Sequence, residues 1–294
     1  MKSGSVAIIG RPNVGKSTLL NTLLQEKIAI VSDKPQTTRT RILGVMHRPD
    51  AQIALLDTPG LHEPRYRLNR RMVKTALDTM KDADLLYVMV EATSHPGPGD
   101  RLVVEHVRKA IELGGGPAFL LINKVDLVKK SRVLPLIESY CTMLDWTEIV
   151  PISAKTGLSL DRLLELTVKL LHEGEALFGE DVVTDQSMRT MAAEFIREQI
   201  LQRTREELPY SVAVEIDQFI EEGNLARIAA SVLVERESQK GIIVGKHGAR
   251  LKEVATCARL AMEKLFGMKV FLEVWVRVRA AWRQNEQILT KLGY

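Results

Sequence analysis

Short apolar runs alternate with helical patterns through the first half of the chain. Apolar runs predict strands at 6–9, 42–46, 52–56, 84–90, 117–122 and 149–152. Leucines and valines at helical spacing predict helices between them, at 19–24, 73–80, 102–113 and 160–171. This alternation favours an α/β fold with a doubly wound, mostly parallel sheet. Such sheets bind ligands at the carboxyl ends of their strands.

The second half follows a different pattern. A helix is predicted at 187–207 and stops at Pro209. Alternating residues then predict strands at 211–217 and 228–235, joined by a turn. A glycine-containing stretch at 241–248, a helix and a strand at 269–278 come next. We therefore divide the chain into a first domain (1–175), a linker (176–186) and a smaller α+β domain with a C-terminal tail helix (187–294).

Composition narrows the class of protein. The 294 residues suffice for two domains with separate cores. No apolar run is long enough to span a bilayer and no signal peptide is recognisable, so we expect a cytosolic protein. The two cysteines, Cys141 and Cys257, lie in apolar helical patterns without metal-ligand spacing. We expect both to be buried reduced thiols.

Charge is distributed unevenly along the second half. Residues 181–222 contain 4 basic and 10 acidic side chains, whereas residues 223–294 contain 13 basic and 6 acidic ones. A basic final quarter favours a polyanionic partner for the C-terminal part. Solvated basic faces are common, so charge alone does not identify that partner.

The strongest chemical pattern follows the first predicted strand. Gly10 is followed by Gly15, Lys16 and Ser17 at the spacing G-x-x-x-x-G-K-[ST], and a helix begins there. Such a loop wraps phosphates with backbone N–H groups at a helix N-terminus. In this arrangement the lysine reaches the β- and γ-phosphates and the serine hydroxyl binds Mg²⁺. The pattern predicts a nucleotide site.

Two further loops fit a nucleotide switch. The polar stretch 32–39 is an exposed loop, and either Thr37 or Thr38 is spaced to complete the Mg²⁺ shell. Asp57 ends a predicted strand and is followed by Gly60. There the carboxylate holds Mg²⁺ through water and the glycine N–H contacts the γ-phosphate.

The base is indicated by Asn123, Lys124 and Asp126 at the end of another strand. A carboxylate accepts both the N1–H and N2–H donors of guanine, whereas adenine presents an acceptor at N1. A buried polar site of this kind rejects the wrong base. The Ser153–Lys155 loop then offers a backbone N–H to guanine O6, which makes the predicted ligand a guanine nucleotide.

This ordered series resembles the translation-factor-related GTPases over about the first 175 residues. The resemblance selects Thr38, with Ser17, as a Mg²⁺ ligand, and assigns catalytic roles to Lys16, Thr38, Asp57 and Gly60. Leu61 stands where Ras-like proteins carry a catalytic glutamine, and Asn13 resembles an asparagine that holds K⁺ in potassium-stimulated relatives. The implied nucleotide contacts are Gly10, Arg11, Pro12, Asn13, Val14, Gly15, Lys16, Ser17, Thr18, Asp57, Thr58, Pro59, Gly60, Leu61, Asn123, Lys124, Asp126, Ser153, Ala154 and Lys155.

The C-terminal order of helix, two strands, helix, Gly-x-x-Gly, helix and strand looks like a type II KH domain. Gly245 and Gly248 let the backbone approach single-stranded RNA, of which such a loop clamps about four nucleotides. Apolar side chains before the loop offer a floor for bases, and basic ones after it offer phosphate contacts. The predicted RNA-binding residues are Ile242, Ile243, Val244, Gly245, Lys246, His247, Gly248, Arg250 and Lys252.

A P-loop GTPase domain followed by a type II KH domain resembles the Era family of GTPases over essentially the full chain. The resemblance implies a GTP/GDP- and Mg²⁺-dependent checkpoint in maturation of the small (30S) ribosomal subunit. The KH domain then binds near the 3′ end of 16S rRNA. We expect a monomer, and weak peripheral membrane contact is noted for the family.

No side chain is an obvious general base, so we expect slow intrinsic GTP hydrolysis, accelerated when RNA or the subunit orders residues 61–71. Two other functions remain open at this point. One is an RNA-binding assembly factor in which GTP only switches affinity. The other is a membrane-associated signalling GTPase, which neither an amphipathic helix nor a lipidation motif supports.

Overall fold

A computed structural model of the chain describes residues 1–204 and 208–294. They form two compact units, each composed of several segments of the chain. Unit 1 comprises Met1–Ala29, Thr38–Pro64 and Asn69–Asp185, and unit 2 comprises Ile30–Thr37, Arg65–Leu68 and Gln186–Tyr294.

Unit 1 is built on one sheet. Its strands are β1 (Lys2–Gly10), β2 (Ile42–His47), β3 (Ala51–Asp57), β4 (Leu85–Glu91), β5 (Ala118–Asn123), β6 (Glu148–Pro151) and the two-residue β7 (His172–Glu173). The order is β2-β3-β1-β4-β5-β6, and β7 pairs with β1. The sheet is parallel from β3 to β6, whereas β2 and β7 run antiparallel to their neighbours. The doubly wound, mostly parallel α/β fold is confirmed.

Helices cover both faces of this sheet. They are α1 (Lys16–Leu24), α2 (Arg67–Asp82), α3 (Pro98–Glu112), α4 (Val133–Cys141) and α5 (Leu160–Leu170). In β1, Val6 and Ile8 lie in one core, while the alternate residues Ala7 and Ile9 lie in the core on the opposite face. A strand buried on both faces needs an uninterrupted apolar run, which is why the sequence pattern was readable.

Residues 176–185, which we expected to belong to a linker, pack on the sheet of unit 1. Phe178 and Val182 lie against an apolar cluster that includes Leu43 and Val45. The Gln52 side chain bonds both backbone polar groups of Phe178, at 2.8 Å each. This stretch therefore covers the β2–β3 part of the sheet.

Unit 2 has the element order expected of a KH domain. Its elements are α6 (Met188–Arg203), α7 (Leu208–Ser211), β8 (Ala213–Glu222), β9 (Leu225–Val234), α8 (Glu237–Val244), α9 (Ala249–Phe266), β10 (Lys269–Val278) and the tail helix α10 (Glu286–Lys291). The sheet order is β10-β9-β8, with β9 antiparallel to β8 and parallel to β10. Phe195 of α6 and Ala258 of α9 share one core with Val232 and Val276 of the sheet.

Further details differ from the sequence predictions. The helix predicted at 187–207 ends at Arg203, its last three predicted residues (205–207) lie outside the described part, and Pro209 lies within α7. Helix α4 was expected only as the helical surroundings of Cys141, without bounds, and α7 and β7 were not predicted. Both cysteines are free, but Cys141 at the end of α4 is exposed and Cys257 is only half-buried, so the expectation of buried thiols was wrong.

Among the described residues, no helix is long and apolar enough to cross a bilayer.

Candidate nucleotide and RNA sites

The loop between β1 and α1 packs tightly against β5. Gly15 has a φ of +105°, and a Cβ atom placed on it would lie 2.4 Å from Asn123 Nδ2. Asn123 Nδ2 donates to the Val14 carbonyl at 2.7 Å, and the Ala154 N–H donates to Asn123 Oδ1 at 2.9 Å. Asn123 thus ties the β1–α1 loop to the loop after β6, and only glycine fits at position 15.

Lys16 is buried within the curve of this loop. Its Nζ donates to the Arg11 carbonyl at 3.0 Å. Burial lowers the pKa of Lys16 to about 8, although the nearby Asp57 carboxylate raises it. A cation kept in a low-dielectric pocket interacts strongly with an anion that enters it.

Three oxygen-bearing side chains from separate segments meet beside Lys16. Ser17 Oγ donates to Asp57 Oδ2 at 2.6 Å and lies 2.8 Å from Thr38 Oγ1, which donates to Asp57 Oδ2 at 3.1 Å. Burial raises the pKa of Asp57, while Lys16 and the two hydroxyls act in the opposite direction. Asp57 Oδ1 is buried without a hydrogen-bond partner among the described residues. Hydroxyl and carboxylate oxygens are suitable ligands for a hard cation such as Mg²⁺.

The two threonines that the spacing left open differ in their contacts. Thr37 Oγ1 donates to the Lys34 carbonyl at 2.7 Å within its own loop. The Thr38 hydroxyl instead belongs to the cluster with Ser17 and Asp57. The geometry therefore favours Thr38 as the residue that faces a metal ion.

The segment after β3 lies over the β1–α1 loop. A Cβ atom on Gly60 would lie 2.6 Å from the Pro12 nitrogen, so this approach requires glycine. The Leu61 N–H donates to the Gly10 carbonyl at 3.0 Å, and its side chain, 1% exposed, lies in the same core as Ala7 and Ile9 of β1. Leu61 therefore contributes backbone and packing, and its side chain does not face the nucleotide loop.

The predicted base-binding residues follow β5 and β6. Lys124 Nζ donates to the Asn13 carbonyl at 2.9 Å. Asp126 is exposed, so its carboxylate is accessible to a ligand. Ser153 is fully buried, and its Oγ accepts from the Thr156 N–H at 3.2 Å. Lys155 is exposed.

Sequence reasoning missed two acidic residues that support the site. Glu91, at the end of β4, forms an ion pair with Lys124. Asp100, 2% exposed in the first turn of α3, lies 3.1 Å from Arg11 Nε. Glu91 could have been found from its place at the end of a buried strand, since the other candidate residues share that position; Asp100 carried no such signal.

In unit 2, the Gly-x-x-Gly turn joins α8 to α9. Gly245, His247 and Gly248 have positive φ values of +71°, +51° and +76°. A Cβ atom on Gly245 would lie 2.8 Å from Arg250 Cβ, whereas nothing lies within 4 Å of one on Gly248. Lys246, His247 and Lys252 are exposed, and Arg250 is half-buried and donates to the Ile242 carbonyl.

The expected apolar floor for bases needs one correction. Ile242 is 47% exposed and Val244 is half-buried, but Ile243 is 1% exposed and packs in the core of unit 2. Successive residues on a helix point about 100° apart, so Ile243 faces inward when Ile242 faces solvent. Its side chain is not available to RNA.

Comparisons with known proteins agree with this architecture. Residues 5–124 match a family described as 50S ribosome-binding GTPase, and residues 207–283 match the KH domain family. GTPase Era of Geobacter metallireducens is 51% identical over 295 residues, covering 100% of this chain and 98% of that protein. GTPase Era of Syntrophus aciditrophicus is 48% identical, covering 100% and 95%.

Two solved structures match the whole chain, each with a TM-score of 0.95 and 43% identity and with coverage of 100% of this chain and 99% of the other. One is Era in complex with MgGDPNP and nucleotides 1506–1542 of 16S ribosomal RNA. The other is a variant of Aquifex aeolicus Era bound to GDP.AlF4⁻. From its full-length identity to these relatives, its two domain families and its fold, the chain belongs to the GTPase Era family.

Proposed function

We propose that this chain binds GTP with Mg²⁺ at the carboxyl edge of the unit 1 sheet and hydrolyses it slowly. Through the Gly-x-x-Gly turn of unit 2 it binds the 3′ region of 16S rRNA during maturation of the small ribosomal subunit. The related Era that was solved with MgGDPNP and 16S rRNA nucleotides supports both parts. We further propose that it acts in the cytosol as a monomer, with any membrane contact peripheral.

The observation that carries the nucleotide part is the cluster of Ser17, Thr38 and Asp57. Its three side chains come from separate segments, yet their oxygens lie within 3.1 Å of one another. Ser17 and Thr38 would ligate Mg²⁺ directly and Asp57 would hold it through water. The bound ion would neutralise charge that develops on the phosphates.

The residues around the γ-phosphate position act by charge and placement. Lys16 supplies positive charge, and the N–H groups of residues 13–18 and of Gly60 donate to phosphate oxygens. Leu61 faces the core. His62 contacts the Gly60 carbonyl through Nδ1 at 2.8 Å and Asn69 through Nε2 at 2.7 Å, so both of its ring nitrogens are engaged. Without a general base, in-line attack by water is slow, and we expect RNA or the small subunit to accelerate it. Equal turnover with and without them would contradict this.

A monovalent cation is proposed to assist at Asn13. This residue has a φ of +66°, and its carbonyl is held by Lys124. K⁺ bound there would add positive charge next to the phosphates, where other GTPases use an arginine. Hydrolysis should therefore be faster in K⁺ than in Na⁺, and Asn13→Ala should abolish the difference. An unchanged ratio of the two rates in the variant would refute the role of Asn13.

The RNA part is tested by binding a short single-stranded RNA that matches the 16S 3′ end, in GDP and in a non-hydrolysable GTP analogue. A Gly245→Asp, Gly248→Asp double variant should lose binding, because its carboxylates repel phosphate where the backbone must approach it. Gly223→Asp is a matched control for the change at Gly248, since both glycines have a positive φ (+61° and +76°) with nothing within 4 Å of the Cβ position. At Gly245 the new side chain in addition meets Arg250 Cβ at 2.8 Å.

Tighter binding in the GTP state, lost only in the double variant, is the expected result. Equal RNA affinity in both nucleotide states would contradict a GTP-gated RNA reader. If the double variant binds RNA as tightly as the wild type, the RNA does not bind at the Gly-x-x-Gly turn. If blocking hydrolysis leaves subunit maturation intact, GTP acts only as an affinity switch.

A further inference from the structure

We propose that Arg197, on helix α6 of unit 2, is a positioning residue for the Mg²⁺ ligand Thr38. The inference rests on the proposed role of Thr38 and adds a residue that no sequence motif indicates. Arg197 holds the peptide group immediately before Thr38, and thereby fixes the direction in which Thr38 enters the nucleotide site.

The segment 30–37 belongs to unit 2, and both of its ends are bound to α6. At its start, Ile30 is 2% exposed and lies in the same core as Ile196. The Val31 N–H donates to Glu198 Oε1 at 2.9 Å. At its end, Arg197 Nη2 donates to the Thr37 carbonyl. One turn of α6 therefore holds both ends of the segment.

Arg197 is held rigidly enough to act in this way. Its side chain is fully buried, and Nε donates to Glu194 Oε1 at 2.8 Å while Nη2 contacts Glu194 Oε2. Burial lowers the pKa of Arg197, but Glu194 and further charges at Glu198 and Tyr294 raise it overall, so the guanidinium keeps its charge. A charged donor to a carbonyl forms a stronger hydrogen bond than a neutral one.

The covalent geometry of the chain transmits this hold to Thr38. The Thr37 carbonyl and the Thr38 N–H lie in one peptide plane, which is rigid because the C–N bond has partial double-bond character. Fixing the carbonyl therefore fixes the orientation of the Thr38 amide. The Thr38 hydroxyl in turn contacts Ser17 and Asp57.

The consequence depends on which nucleotide is bound. Thr38 meets the metal ion and the γ-phosphate, so its position matters for GTP and not for GDP. If Arg197 no longer holds the loop, the arrangement with Thr38 in place is less populated. The apparent affinity for GTP then falls by that fraction, while the affinity for GDP does not change.

The experiment compares three variants of the full-length chain with the wild type. Arg197→Met keeps the length of the side chain and removes all donors, and Arg197→Lys keeps the charge without the planar fork. Arg203→Met is the control, because Arg203 lies on the same helix but pairs with the exposed Glu253. Dissociation constants are measured for GDP and a non-hydrolysable GTP analogue, together with the Mg²⁺ concentration for half-maximal analogue binding.

We expect Arg197→Met to weaken analogue binding about tenfold, the loss typical of a hydrogen bond to a charged group, and to raise the Mg²⁺ requirement. GDP affinity should stay within about twofold, and Arg203→Met should change neither nucleotide. A single ammonium cannot bind Glu194 and the Thr37 carbonyl together as the guanidinium does. The analogue affinity of Arg197→Lys should therefore lie between those of the wild type and of Arg197→Met. That variant carries the comparison if the Met variant does not fold.

Unchanged analogue binding in Arg197→Met, or an equal loss for GDP and the analogue, would overturn the proposal. Thr38→Ala, measured in parallel, separates this outcome from failure of the proposed function. If Thr38→Ala leaves the ratio of the two affinities unchanged, Thr38 is not the Mg²⁺ ligand. If it lowers the ratio while Arg197→Met does not, only the role of Arg197 is refuted.

Discussion

A single buried lysine makes nucleotide binding depend on pH. Because burial lowers the pKa of Lys16 to about 8, the nucleotide-free protein loses this cation as the pH rises through that value. Phosphate binding needs the charged form, so above about pH 8 each binding event must take up a proton. Affinity for GDP should therefore fall with rising pH, by up to about tenfold per pH unit.

Calorimetry from about pH 7 to about pH 8.8, in buffers of different ionisation enthalpy, measures both the affinity and the proton uptake. That range stays below the pH at which guanine itself loses a proton. Lys16→Arg serves as the control, because a guanidinium stays charged over this whole pH range. Any GDP affinity that this variant retains should not change with pH. If the GDP affinity of the wild type does not change with pH, Lys16 stays protonated in the nucleotide-free protein over this range, which contradicts the prediction.

Gly15 illustrates a second residue-scale constraint. In Gly15→Ala, the new Cβ would approach Asn123 Nδ2 to 2.4 Å and displace the amide that holds the Val14 carbonyl. We expect this variant to lose GDP binding. We also expect its free energy of unfolding to fall by about 1–3 kcal/mol.

The matched control for Gly15→Ala is Gly157→Ala, because Gly157 also has a positive φ (+81°) but nothing lies within 4 Å of its Cβ position. The control should cost only the backbone strain, about 1 kcal/mol. Thermal melts and GDP titrations of the two variants distinguish the causes, and equal effects would rule out the contact with Asn123.

At the scale of elements, strand β4 and helix α5 are joined by a buried polar pair. The Tyr87 hydroxyl bonds Thr167 Oγ1, which in turn donates to the Leu163 carbonyl at 2.8 Å. Both side chains are fully buried. Thr167→Val should cost about 1–3 kcal/mol, because it leaves the Tyr87 hydroxyl buried without this partner.

The double variant Tyr87→Phe, Thr167→Val removes both polar groups and should be more stable than Thr167→Val alone. Denaturant unfolding of the two singles and the double gives the coupling free energy. Additive losses would show that the pair contributes no interaction of its own.

Helix α8 shows what a pattern of apolar residues does not determine. Ile242, Ile243 and Val244 are consecutive, so the sequence alone does not say which one meets the core. The answer depends on where α8 begins and on how it packs against β9 and β10. Only Ile243 of these three is buried. The RNA site predicted from the sequence therefore wrongly included Ile243.

At the scale of the whole molecule, the cores of unit 1 share no residue with the core of unit 2, which predicts two unfolding transitions. GDP at about one hundred times its Kd should raise the free energy of unfolding of unit 1 by about 2.7 kcal/mol, and so raise the temperature of its transition. Trp282 is fully buried in unit 2, and its Nε1 donates to the Ser211 carbonyl at 2.8 Å. Trp282→Ala should destabilise unit 2 by about 3–5 kcal/mol.

Differential scanning calorimetry with and without GDP, on the wild type and on Trp282→Ala, resolves the two effects. The GDP-induced shift should be the same in both proteins. If Trp282→Ala also lowers the transition that GDP raises, the two units unfold as one cooperative body.

The sequence was most informative where local patterns decide the structure. Strands buried on both faces, glycines at fixed spacing and the helix that follows the glycine-containing loop were readable because each depends on neighbours in the chain. Long-range packing was not readable. The assignment of residues 30–37 to unit 2, the burial of Leu61 and the packing of Phe178 on β2 and β3 all depend on contacts between distant segments.

The choice between Thr37 and Thr38 shows the same limit. Spacing left both open, and family resemblance selected the second. The structural difference arises because the Thr37 hydroxyl bonds Lys34 within its loop while Thr38 meets Ser17 and Asp57.

The exposure of Cys141 makes the protein suitable for spectroscopic labelling in its natural sequence. The chain has only two cysteines, one in each unit. Cys141 is exposed, whereas Cys257 is half-buried and accepts a hydrogen bond from Arg203 at 3.1 Å. A thiol-reactive donor dye should therefore attach first at Cys141 and an acceptor afterwards at Cys257, without any substitution. Because the two thiols lie in different units, each dye would then report on its own unit as the guanine nucleotide is bound and released.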